Sequence, residues 1–179
     1  MPFYTIKDNE FASVKQVLTQ TMPGIIAISP FWHYSYFIIY SFKHFCDSHI
    51  NIAISFFFIS AVLMGAICNE IGSWIESFYD KIIKTDKIWM KYLLEKPNKK
   101  IIHSVIKSVV LRLKFNLNMQ SSLIVFIIGL NCFTLRIVSK SFLIGYLNIG
   151  AVFLLILFFA TGYYMAKGLH DYRKELCSD

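Results

Sequence analysis

The chain has 179 residues, of which 56% are apolar and 17% aromatic, while 16% carry charge and the net charge is +7. Soluble domains run at about 45–50% apolar and about 25% charged, whereas here four long runs hold no Asp, Glu, Lys or Arg. These figures exclude a soluble globule, a disordered tail and a disulfide-stapled miniprotein, and they point to one small polytopic membrane domain.

Residues 1–22 mix Lys7, Asp8, Glu10 and Lys15 with apolar residues and run into a long apolar stretch without a small-x-small cleavage site. The first span is therefore expected to remain in the mature protein. That span is read at about 23–42, PGIIAISPFWHYSYFIIYSF, with Pro30 as a candidate kink. His33 lies among Phe31, Trp32, Tyr34, Tyr36 and Phe37 and is expected to hydrogen-bond inside the bundle. The following HFCDSH segment carries His44, Cys46, Asp47 and His49, which are possible soft-metal donors. A short wet loop collects such residues anyway, so neither a metal nor a cofactor is expected.

The second span starts at 50 and continues helically to about 78. Its exit, GAICNEIGSWIESFYD, places Gly65, Asn69, Gly72, Glu76 and Asp80 at helical spacings, with Glu70 and Ser73 beside them. Small residues on one stripe let another helix approach closely, and Asn or Glu hydrogen-bonds across such a contact. The same residues support two further readings. Glu70, Glu76 and Asp80 could line a vestibule, or they could act as paired carboxylates in acid–base or metal chemistry.

Residues 81–114 form a basic segment divided by Pro97. In its second piece Ile101, Ile102, Val105, Ile106, Val109 and Leu113 recur at helical spacing. This predicts an amphipathic helix lying on the membrane, apolar face down, with Lys91, Lys99, Lys100, Lys107, Arg112 and Lys114 as a basic cytoplasmic surface. A cytoplasmic protein could dock there. Nucleic acid is not expected as a partner, since Trp89 and Tyr92 lie among lysines without any recognisable binding module.

The third span is read at about 115–135, with a polar entry formed by Asn116, Asn118, Gln120, Ser121 and Ser122. The fourth is read at about 141–166. Asn131 and Asn148 are expected to join helices, while Trp74, Tyr79, Tyr146, Tyr163 and Tyr164 fit interfacial belts. Fifteen Lys and Arg fall in the termini and the 81–114 segment, against Lys43, Arg136 and Lys140 in the two other connections. This asymmetry places both termini and the central segment in the cytoplasm. The expected fold is thus all-α, a four-helix transmembrane bundle of the inner membrane with a basic amphipathic loop.

Nucleophile elbows, P-loops, HExxH and glycine-rich nucleotide loops are missing from the sequence. Pro23 and Gly24 open the first span, Gly65, Gly72 and Glu76 leave the second, and Asn116, Asn118, Ser121 and Ser122 enter the third. This order resembles that of small bacterial four-span proteins, some of them membrane effectors or accessory proteins of phage-defence loci, including those beside RNA-targeting CRISPR systems. Lys114 and Phe115 stand where that group leads one to expect an arginine. The resemblance implies membrane perturbation or pore formation by a homo-oligomer, with membrane lipid as a partner and no catalytic residues. The alternatives are a small transporter, a structural subunit of a membrane complex, or a lipid-acting enzyme using Glu70, Glu76 and Asp80.

Overall fold

A computed structural model describes the backbone of residues 3–83, 100–137 and 142–176, and the side chains of 18–83, 106–132 and 144–175. All described elements are helices: α1 (Phe3–Ile38), α2 (Tyr40–Ser48), α3 (Ile50–Ile83), α4 (Lys100–Ile137) and α5 (Phe142–Leu176). Among the described residues three stretches are long and apolar enough to cross a membrane, Ile50–Ile83, Ile106–Cys132 and Ile144–Glu175. The first predicted span is not among them, because Pro23, Pro30, Trp32, His33 and three nearby tyrosines dilute its apolar character.

Helix α1 also stops earlier than the 23–42 reading. Its last residue is Ile38, and Ile39 takes an extended conformation (φ −93°, ψ 99°) before α2 begins. A second break at His49 (φ −133°, ψ 54°) turns the chain into α3. Aromatic packing holds this corner: Trp32 lies edge-on to Phe42 and to Phe57, each at 5.1 Å between centroids. The Tyr36 hydroxyl adds a bond to Asp47 Oδ1 at 2.9 Å. His33 is exposed and rests against the Phe37 ring at 4.5 Å, so it is not a buried hydrogen-bonded residue.

Helix α4 is the centre of the bundle. It packs on α1, α3 and α5, whereas α5 packs chiefly on α4 and more lightly on α3. Half of the apolar stretch of α4 is buried, against 6% for α5. Residues 100–114 continue without a break into the third span, so they do not form a separate helix on the membrane plane. From Ile106 onward their apolar stripe is used internally. Ile106, Leu113 and Leu117 form a core with Tyr79, Ala166 and Leu169, flanked by Val109 and Val110. Burial against two protein helices removes that stripe from lipid.

The contact between α1 and α3 depends on missing side chains. A Cβ at Gly24 would run into the Ala61 carbonyl oxygen, and one at Gly65 into the Gln20 carbonyl oxygen. Ala27, Ala61 and Cys68 continue the small-residue seam, all fully buried.

Candidate functional site

The polar entry of the third span is the most distinctive interior feature. Asn116, Asn118, Gln120, Ser121 and Ser122 are all buried, with at most 4% of their surface exposed. Amides in such a setting are stable only if hydrogen-bonded. Residues four apart share a helix face, while residues two apart look in nearly opposite directions. The run thus divides into two sets.

Asn116 and Gln120 face α5 and α3. Tyr79 donates to Gln120 Oε1 at 3.2 Å, with the Phe159 carbonyl as a second acceptor at 3.2 Å. Gln120 Nε2 donates to Asn116 Oδ1 at 2.6 Å and to the Phe158 carbonyl at 2.9 Å. Asn116 Nδ2 passes the chain on to Thr161 Oγ1 at 2.7 Å, and that hydroxyl donates to the Leu157 carbonyl at 2.9 Å. The result is a directional relay of neutral donors across three helices. Gly162 makes room for it, since a Cβ there would lie 2.5 Å from Gln120 Nε2 and 2.7 Å from Asn116 Oδ1.

Asn118 and Ser122 face α1, and here the two sequences explain each other. Pro23 sits inside α1 and has no N–H to offer the Thr19 carbonyl one turn back. Asn118 Nδ2 donates to that carbonyl at 3.0 Å. Ser122 Oγ donates to the Pro23 carbonyl at 2.7 Å. At Pro30 the same problem has a local answer, as Ser29 Oγ donates to the Ile26 carbonyl at 2.9 Å. Where water is excluded, the carbonyl that a helix proline leaves unserved needs another donor.

Of the residues on the α3 stripe, Gly65 meets α1 and Gly72 meets α4, where a Cβ would lie 2.8 Å from Asn118 Oδ1. Asn69 Oδ1 accepts from Asn118 Nδ2 at 3.4 Å. Glu76 and Asp80 are half-buried, and Glu76 lies within electrostatic reach of Asp80, Lys114 and Arg173. Glu70 is exposed on another face. The three acids therefore do not converge, and Glu70 shares no vestibule with Asn116 and Asn118, which are packed against other helices. Lys107, Arg112 and Lys114 are exposed on α4. Lys100 is described only in its backbone, and Lys91 and Lys99 lie outside the described residues.

Tyr79 departs from the interfacial-belt reading: it is buried and bonded to Gln120, while Trp74, Tyr146, Tyr163 and Tyr164 are exposed. Its place in the sequence, seven residues beyond Gly72 and so on the small-residue face of α3, is the signal that sets it apart from the other tyrosines. Asn131 and Asn148 exchange amide bonds at 3.2 and 3.3 Å, linking α4 to α5. In the HFCDSH segment Cys46 is buried, and burial together with the Asp47 carboxylate pushes its thiol above the ordinary range. Among the described residues no group of three or more His, Cys, Asp or Glu gathers around a possible metal position. No protein-family model, curated protein or solved structure matches the chain.

Proposed function

We propose that this chain is a four-span integral protein of the inner membrane that acts without catalysis, as an oligomeric membrane-perturbing or pore-forming effector or accessory protein. α1 supplies the fourth span, and both termini and the 81–114 segment lie in the cytoplasm, as the lysine and arginine distribution requires. The resemblance to membrane proteins of phage-defence loci supplies the physiological setting. A cytoplasmic protein engaging the basic segment supplies the signal.

One observation carries this reading: a buried polar relay closed on one side by the least embedded helix. α5 meets α4 through Asn116–Thr161, Gln120–Phe158 and Asn131–Asn148, beside the apolar contact of Ala166 and Leu169 with Leu113 and Leu117. Displacement of α5 would expose Asn116, Gln120 and Tyr79 along a water-accessible wall. Self-assembly would use the exposed apolar faces of α3 and α5, because Gly65 and Gly72 are already occupied within one chain.

The test is expression under activating conditions with a voltage-sensitive dye. Loss of membrane potential is expected, and a paired Asn116→Leu, Gln120→Leu variant that still reaches the membrane should retain it. Undisturbed potential with the natural chain would sink the proposal. For topology, in a chain whose own four cysteines are replaced by serine, an impermeant maleimide on intact cells should label Lys43→Cys and spare Lys99→Cys.

The wide apolar face of α5 favours a second reading, a structural subunit whose partner covers that face. Stoichiometric co-purification of another membrane protein, with membrane potential unaffected, would select it.

A further inference from the structure

We propose that a groove between α1, α4 and α5 holds one anionic phospholipid, with its phosphate on Arg112 and an acyl chain along Phe115, Phe158 and Met165. The groove has a volume of about 470 Å³ and is walled by Leu18, Leu111 and those three residues. That size lies within the roughly 300–1,000 Å³ of ordinary ligand sites.

Chemistry selects the occupant. The polar atoms on the floor are already spent on each other, as Asn116 Nδ2 donates to Thr161 Oγ1 and Thr161 donates to its own helix. An acyl chain asks for no hydrogen bonds and suits such a floor. Among the described residues Arg112 is the one charged member of the lining, and it is exposed. Among the described residues the lining holds no carboxylate to receive the ammonium of a zwitterionic headgroup. Position agrees with this. Arg112 stands one turn ahead of Phe115, where the uncharged run of the third span begins. An arginine at that level keeps its stem along apolar surface and its guanidinium among headgroups. A guanidinium binds phosphate through two parallel hydrogen bonds, which a single ammonium cannot do.

This inference needs only that α4 and α5 lie in a bilayer. Which leaflet supplies the lipid follows from the orientation proposed above. The assay in micelles is independent of both pore formation and orientation.

Delipidated full-length chain is titrated with dioleoyl phosphatidylglycerol or dioleoyl phosphatidylcholine, and bound lipids are counted by native mass spectrometry. One phosphatidylglycerol should be retained about five-fold more strongly than phosphatidylcholine. Arg112→Gln should equalise the two lipids, whereas Arg112→Lys should keep part of the preference. Met165→Trp, which fills the groove and keeps the arginine, should weaken both lipids, so the outcome does not hang on the Arg112 variants folding. Equal retention of both lipids by the natural chain overturns the proposal. So does an undiminished preference in Arg112→Gln, which would assign the effect to other basic residues. A loss of dimer instead of lipid in Met165→Trp overturns it as well, making the groove a seat for a second copy.

Discussion

Helices α4 and α5 are of similar length, 38 and 35 residues, yet they occupy opposite situations. α4 carries Asn, Gln and Ser through its middle and touches three other helices. α5 is uncharged from Phe142 to Ala166, rich in Leu, Ile, Phe and Gly, and leaves most of its surface uncovered. In water the more apolar helix would be the buried one. In lipid, apolar side chains gain little by leaving the solvent, so polar side chains decide which helix sits at the centre. The same rule separates the two groups of glycines. Gly24, Gly65 and Gly72 lie at helix contacts, while Gly145 and Gly150 on α5 have nothing within 4 Å of a would-be Cβ.

The largest effect should come from the glycine contrast. Gly65→Ala forces a methyl group into the Gln20 carbonyl and should destabilise the bundle by about 1–3 kcal/mol. Gly150→Ala should instead stabilise it by up to about 1 kcal/mol, since only helix propensity changes. Reversible unfolding in mixed micelles measures both. Equal and small effects at the two sites would remove the case for a close α1–α3 contact.

A second contrast concerns hydrogen bonds. Gln120→Ala breaks bonds to Tyr79, Asn116 and the Phe158 carbonyl and should lower stability by about 1–2 kcal/mol. Asn131→Ala removes one exposed amide pair and should lower it by about 0.5 kcal/mol or less. A reversed order would mean that the buried relay is not formed. The smallest change is expected at Trp74→Ala, within about 0.5 kcal/mol, because that side chain is 74% exposed. The companion Tyr79→Phe, which deletes only a hydroxyl, should exceed it by the value of one buried hydrogen bond.

Much of the element pattern was legible beforehand. Uncharged run length marked the helices of the second, third and fourth spans, and the polar entry at 116–122 was visible as an oddity. Other features were not. The end of α1 at Ile38 depends on Trp32 packing against α2 and α3, which involves residues far apart in sequence. The 101–114 stripe looked like a membrane-surface helix because lipid and a protein neighbour demand the same apolar face. Tyr79 shares a helix face with Gly72, two turns back, but that Gln120 lies opposite it was decided by packing.

Composition and periodicity by themselves determined that the chain folds as long helices suited to a bilayer, because backbone groups in lipid must be satisfied within each segment. They also determined which faces carry small or polar residues. Only the tertiary structure decided what those faces meet: Gly65 against the chain's own α1 and Asn118 beneath the carbonyl that Pro23 cannot serve. A helix sequence specifies the angle at which a side chain leaves the axis, whereas the neighbour it reaches depends on how every other helix packs.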